Sequence, residues 1–373
     1  MEEEYVDVVI IGAGLSGIGS AWHLQNKCPN KSYLILESRH TLGGTWDFFR
    51  YPGIRSDSDM FTLGYQFKPW KDDRSMADGS SILNYVKETA SENDLTKHIR
   101  YGHKLTSASW SNKKAKWTLT VLCHETGDTT QIQCQFLLMC AGYYRYDKGY
   151  TPDFRGKDKF KGMLIHPQSW PEGLDYRNKK IIVIGSGATA VTLVPELSKK
   201  AQHVTMVQRS PSYVLSLPAK DKLASLLNKL LPIKWVYALV RKKNIARQQY
   251  LYRLTRTHPE KIKSYILKMA QKVLGKKYDL GTHFCPSYAP WDQRLCFIPN
   301  NDFFKSMTSN KATIVTEHID YFTETGIQLK SGKHIPADII VTATGFNLEI
   351  LGGTQFTVDN VTVDFSKTYT YKG

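Results

Sequence analysis

One pattern of apolar and polar positions occurs twice along the chain. Tyr5–Ile11 (YVDVVII) is an almost unbroken β-branched run, as expected of a strand buried on both faces. It leads into a glycine loop, a stretch of helical periodicity reaching about Gln25, and a second apolar run, Ser32–Glu37. The same order returns from Lys180 to Gln208: KIIVIG, a glycine loop, a helical stretch to about Lys199, and HVTMVQ. Each reads as a βαβ unit. Between them the pattern predicts a helix over 79–93 and a hairpin of Lys116–Leu122 and Gln131–Met139 around Thr126-Gly127-Asp128. After the second unit a helical, basic stretch occupies about 213–285, and strand patterns resume at 313–316, 326–330 and 335–341.

These elements predict an α/β chain with two Rossmann-like dinucleotide-binding domains and a helical insert in the second. The Tyr- and Gly-rich connection at 144–156 is the best boundary candidate. We assign 1–143 to the first domain, 144–212 to a linker and the first part of the second domain, 213–289 to the insert, 290–340 to the rest of the second domain, and 341–373 to a return into the first.

Composition adds limits. With 373 residues, 41% apolar and 23% charged, the chain is globular and too long for one ordinary domain. No apolar run reaches transmembrane length, and the acidic start does not resemble a signal peptide. Six scattered cysteines without CxxC spacing suit a reducing, cytoplasmic setting, and the eleven histidines do not cluster as metal ligands. The net charge of +16 is concentrated: residues 220–277 carry 16 Lys and Arg against Asp221 and Glu260, or +14. Leu223, Leu226, Leu227, Leu230 and Leu231, and Ile262, Ile266, Met269, Ala270 and Val273, fall at helical spacing within it. The plain reading is helices packed on a core with a solvated outer face. The sharper reading is peripheral contact with an anionic membrane, supported by Trp235, Tyr237 and Tyr250, which would put the protein at the inner face of a membrane. No groove-reading motif accompanies the charge, so nucleic acid is not an expected partner.

The glycine loops carry the chemistry. Gly12-Ala13-Gly14-Leu15-Ser16-Gly17 follows a strand and opens a helix. Gly12 permits the tight turn, Gly14 lets a pyrophosphate approach, and Gly17 allows close helix packing. Glu37, 25 residues after Gly12, can accept ribose hydroxyls. This loop alone does not distinguish FAD from NAD. Gly43-Gly44-Thr45-Trp46 follows, with a second site of close approach and a flat indole, although a plain surface turn would look the same. Gly185-Ser186-Gly187-Ala188-Thr189-Ala190 is the variant with a small third residue. Arg209 lies 24 residues beyond Gly185, near the offset held by Glu37 in the first unit. A carboxylate there would repel a 2′-phosphate, whereas a guanidinium binds it, so this site is assigned to NADPH. The alternative is a solvated charge at a strand end. Two dinucleotides in one chain point to hydride transfer from a nicotinamide to a flavin.

Phe160-Lys161-Gly162-Met163-Leu164-Ile165-His166-Pro167-Gln168-Ser169-Trp170-Pro171 reads FxGxxxHxxxWP, just ahead of the second glycine loop. This segment resembles the fingerprint of the type I Baeyer–Villiger monooxygenases. Related flavin-containing monooxygenases typically end it in Tyr or Phe. We read Phe160 and Trp170 as core and His166 as pinning a linker, not as an acid–base catalyst. Arg50-Tyr51-Pro52-Gly53, Ser56-Asp57-Ser58-Asp59-Met60, Trp291-Asp292-Gln293-Arg294-Leu295 and Ala343-Thr344-Gly345 resemble further family segments. Within the family the chain most resembles the ethionamide-activating branch.

The resemblance implies FAD in the first site, with contacts from Gly12, Gly14, Gly17, Glu37, Gly44, Thr45, Trp46 and Asp57. It implies NADPH in the second, with contacts from Gly185, Ser186, Gly187, Thr189 and Arg209. The expected partners are O2 and a ketone, sulfide or thioamide, oxygenated through a C4a-peroxyflavin. Arg294 is the expected stabiliser of the peroxide anion, held by Asp57 as its carboxylate partner. The family continues past the ATG motif, so the resemblance also implies a flavin domain cut short at Gly373. The enzymatic alternative is an N- or S-oxygenating flavin-containing monooxygenase without ketone chemistry. The non-enzymatic alternative is a truncated remnant.

Overall fold

The computed structural model describes residues 4–371, which form two compact units. Among these residues the first comprises 4–48, 80–147 and 347–371, and the second Phe49–Gly79 and Lys148–Phe346.

The first unit is built on an eight-stranded sheet. Its parallel part places Glu4–Ile11 between Tyr33–Leu36 and Thr129–Met139, with Val9, Ile10 and Ile35 fully buried. Helix Leu15–Lys27 connects the first two strands through the glycine loop. His103–Ser111, Lys116–Cys123 and Thr129–Met139 form the antiparallel part, which contains the expected hairpin, and helix Gly79–Glu92 matches the expected 79–93. Near the end of the chain, Gln355–Val358 adds in parallel to His103–Ser111, and Phe356 enters the same core as Leu105, Leu119 and Ile132.

The second unit carries a five-stranded, all-parallel sheet. Its order is Ala312–Thr316, His203–Gln208, Lys180–Ile184, Ile339–Thr342, Met163–Ile165. Helix Ala188–Leu197 is buried along most of its length, as its Val- and Leu-rich sequence requires. A small antiparallel sheet of Ile319–Thr323, Gly326–Leu329 and His334–Pro336 shares a core with Phe160, Ile182 and Ile340.

The structure departs from the sequence reading in three places. Tyr213–Leu217, expected to be helical, is a strand paired in parallel with Leu295–Pro299. Its Tyr-Val-Leu core residues are buried, and the helices begin only at Lys222. The insert helices proper are Lys222–Leu227, Ile233–Thr257, Pro259–Leu274 and Leu280–Phe284. Residues 49–79, expected with the first domain, group with the second unit. Buried Asp59 holds them there: its carboxylate accepts from Asn244 Nδ2 at 2.9 Å and Gln248 Nε2 at 2.7 Å, both on the long insert helix. Tyr237, expected among the outward aromatics, is buried and donates to the Tyr65 carbonyl at 2.9 Å.

Candidate functional site

The glycines of the first loop have different physical reasons. Gly12 has φ +99°, and a Cβ there would lie 2.6 Å from the Cys140 carbonyl oxygen. A Cβ on Gly17 would lie 1.8 Å from the Gly12 carbonyl oxygen. Both are demanded by the protein's own backbone. Gly14 is different: φ is −80°, and a Cβ would make only an ordinary contact with Gly44 Cα at 3.6 Å. The fold does not need a glycine there, but a pyrophosphate seated against the loop would. The following helix starts with no side-chain cap and no acidic residue in its first turn, and its positive end favours an anion.

Glu37 is buried, 6% exposed, and fastened to the loop. One carboxylate oxygen accepts the Ala13 N–H at 2.8 Å and the other the Arg39 N–H at 2.9 Å. The oxygen that accepts Arg39 also accepts the Ser38 hydroxyl at 3.5 Å, and the one that accepts Ala13 keeps a second lone pair for a ribose hydroxyl. Gly43 donates its N–H to the Ala13 carbonyl at 3.0 Å, so the Gly43-Gly44-Thr45-Trp46 segment rests on the first loop. Thr45 and Trp46 are half-buried in the short helix Thr45–Phe48. Three further residues, missed in the sequence, complete this surface. Arg39 pairs with buried Asp47 at 2.7 Å, and Tyr146 stacks on Phe48 at 4.0 Å, with the Arg39 guanidinium over the Phe48 ring. The position of Arg39 two residues after Glu37 was the available signal. These groups fit an adenosine diphosphate moiety: a cradle that side chains would fill, a buried acceptor for ribose, and flat faces beside it.

In the second unit, Gly185 has φ +137°, and a Cβ would lie 2.2 Å from the Ala343 carbonyl oxygen, so the ATG turn backs directly onto the glycine loop. Ser186 accepts from Ser212 Oγ at 3.1 Å, and burial pushes the pKa of the Tyr51 phenol up to about 12. Arg209 follows strand His203–Gln208, exposed and without an ion-pair or hydrogen-bond partner among the described residues. An unpaired guanidinium at that strand end fits a 2′-phosphate.

Arg294 lies across Gly187, where a Cβ would fall 1.9 Å from Arg294 Nη1. Trp291, three residues earlier, has φ +74°, an unusual conformation for a bulky residue. The expected buried pair with Asp57 is not formed. Both side chains are exposed, and no ion pair or hydrogen bond joins them. Their charges act with opposite sign on the thiol of buried Cys296, which desolvation pushes up to about 12. In the SDSD segment Asp59, not Asp57, is the buried and fully bonded carboxylate; beyond the insert helix it caps its own turn through Thr62. Arg55 fixes the same loop through an ion pair with Asp302 at 2.6 Å.

The FxGxxxHxxxWP segment is structural in its geometry. Phe160 is core, and Trp170 packs against the cluster around Val183 and Leu193. His166 Nδ1 accepts the Gln168 N–H at 3.1 Å, so Nε2 carries the proton and donates to the Gly345 carbonyl at 3.0 Å. This ties the motif to the ATG turn. Burial lowers the pKa of His166, and also those of His98 and His283. A depressed folded-state pKa means that the unfolded chain binds more protons below about 6.5. The contribution is therefore complete above that value and is lost as pH falls from it through the lower folded-state pKa. Thermal scans should show the unfolding midpoint falling by a few degrees from about pH 7.5 to about 5.5, with a shallower slope in His166→Gln. An identical slope in the variant would count against this role.

Comparison with known proteins gives the family. The family model for flavin-binding monooxygenase-like proteins matches residues 6–363. The FAD-containing monooxygenase EthA of Mycobacterium tuberculosis H37Rv is 52% identical over 371 residues, covering 99% of this chain and 76% of EthA. EthA of Mycolicibacterium smegmatis is 53% identical, with 99% and 75% covered. A solved steroid monooxygenase bound to NADP superposes with a TM-score of 0.76 at 23% identity, covering 94% of this chain and 73% of that one, a likeness of fold. With relatives this similar over most of their length, the chain belongs to the flavin-binding monooxygenase-like family.

Proposed function

We propose that the chain is an FAD-dependent, NADPH-driven monooxygenase that transfers one oxygen atom from O2 to a small ketone or to the sulfur of a sulfide or thioamide. The observation that carries this reading is the contrast between the two strand ends: a buried carboxylate at Glu37 beside one glycine loop, an unpaired guanidinium at Arg209 beside the other. When bound, the nicotinamide supplies hydride and the flavin supplies the means of activating oxygen. The protein's own part is to hold and to polarise. Gly12, Gly14, Gly17 and Glu37, with Gly44, Thr45 and Trp46, seat the flavin nucleotide. Gly185, Ser186, Gly187, Thr189 and Arg209 seat NADPH. Arg294 provides a positive charge, unpaired among the described residues, for the negative charge that develops on oxygen. The six cysteines are all free thiols, which suits a cytoplasmic enzyme.

Arg209→Ala should raise KM for NADPH by roughly 10- to 100-fold and leave KM for NADH nearly unchanged. Equal effects on the two coenzymes would remove Arg209 from phosphate recognition. The second reading is N- or S-oxygenation without ketone chemistry. The Trp170-Pro171 ending supports ketone oxygenation, and an ester or lactone product from a simple cyclic ketone would decide for it.

A further inference from the structure

The basic insert has two faces, and only one is used by the fold. On helix Ile233–Thr257, Val236, Tyr237, Val240 and Asn244 are buried, and Arg241 Nη1 donates to the carbonyls of Phe61, Thr62 and Gly64 at 2.7, 3.0 and 2.8 Å. The partner helix Pro259–Leu274 buries Ile266 and Ala270 in the same way. The leucine stripe that precedes them does not follow. Leu223, Leu226, Leu230, Leu231, Trp235 and Leu239 are all exposed, Leu230 by 74% and Trp235 by 68%. Trp235, Leu239 and Lys242 follow one another at i, i+4 and i+7, on one side of the long helix. Six large exposed apolar side chains within 17 residues are far more than the scattered single residues of an ordinary surface.

The charges carried by this stretch of chain itself have one sign. From residue 222 to 259 the chain has nine Lys and Arg and no Asp or Glu. The two acids beside it are already paired: buried Asp221 with Lys243 at 2.5 Å, and Asp73 with Lys220 at 3.1 Å while it also accepts the Ser225 hydroxyl at 2.9 Å. Lys222, Lys229 and Lys234 interleave the stripe, exposed and without ion-pair partners among the described residues. A second copy of the chain brought to this face would meet cations of the same sign. A layer of lipid phosphates with acyl chains beneath would meet both the lysines and the leucines. No helix among the described residues is long and apolar enough to cross a membrane, so the contact is one that lies on the surface.

We infer that Leu223–Leu239 is a docking surface for an anionic lipid bilayer, with Leu230, Leu231 and Trp235 entering the interface and Lys222, Lys229 and Lys234 contacting headgroup phosphates. The test is flotation of the purified full chain with phosphatidylglycerol–phosphatidylcholine vesicles and with phosphatidylcholine vesicles, at about 50 mM and about 500 mM salt. We expect binding to the anionic vesicles at low salt, weakened at high salt, and little binding to phosphatidylcholine. Leu230→Asp/Trp235→Asp, which alters only exposed side chains, should weaken binding by roughly tenfold or more with an unchanged melting temperature. Lys222→Glu/Lys229→Glu/Lys234→Glu should do the same through charge. Absence of binding to anionic vesicles at low salt, or undiminished binding by both variants, would overturn the inference. Salt-insensitive self-association abolished by Leu230→Asp/Trp235→Asp, without vesicle binding, would assign the stripe to a second copy and overturn it as well.

Discussion

Gly14→Ala is expected to fold like the parent chain and to emerge from purification without bound flavin. The prediction follows from a difference among three glycines that one motif treats alike. At Gly12 an added Cβ meets backbone at 2.6 Å in a left-handed conformation, so Gly12→Ala should cost roughly 2 kcal/mol or more of stability. At Gly14 the same Cβ meets only Gly44 at 3.6 Å with φ −80°, so the protein tolerates it. The methyl instead occupies the face on which the pyrophosphate would lie. Overpacking of about 1–3 kcal/mol at a contact of this kind lowers affinity by roughly 10- to 100-fold. Titration of the variant with FAD, beside a melting curve, separates the two effects. Unchanged affinity with unchanged stability would mean that this loop is not where the pyrophosphate sits.

The second large effect belongs to Arg294. Arg294→Ala should still accept hydride from NADPH but oxygenate a ketone or sulfide roughly 10²- to 10³-fold more slowly, the loss that follows removal of one preorganised charge from an oxyanion. Stopped-flow reduction under argon and product formation in air measure the two half-reactions separately. Reduction and oxygenation falling together would show that Arg294 acts through NADPH binding, in keeping with its position across Gly187. Because Asp57 and Arg294 are not paired in the structure, a double-mutant cycle with Asp57→Ala measures whether they act as a unit during turnover.

What was legible in the sequence was local. Both βαβ units, their glycine loops, and Glu37 and Arg209 at the strand ends follow from spacing, because a tight turn between a buried strand and a helix leaves few choices of residue. The packing of 49–79 was not legible. It depends on hydrogen bonds from Asn244 and Gln248 to Asp59, 185 and 189 residues away in sequence, and short polar motifs say nothing about such partners. Tyr213–Leu217 was read into the helices because its Tyr-Val-Leu-Ser-Leu run precedes a long basic helical pattern, while its strand partner Leu295–Pro299 lies beyond the whole insert. Tyr237 shows the limit of periodicity on a helix with apolar residues on two faces: it specifies a helix without saying which face is inside. Tyr146 is not legible locally because it reaches Phe48 from a distant passage of the chain, whereas Arg39 and Asp47, eight residues apart, carry a local signal in the place of Arg39 beside Glu37.

The proposed chemistry depends on one polypeptide binding a flavin and a phosphorylated nicotinamide and passing electrons between them. The visible spectrum of the purified chain supplied with FAD, recorded before and after anaerobic addition of NADPH, tests this directly. The expected result is a yellow protein whose visible flavin absorbance bleaches on NADPH and returns in air. A preparation that stays colourless in excess FAD, or a yellow one that NADPH leaves unbleached, would contradict it.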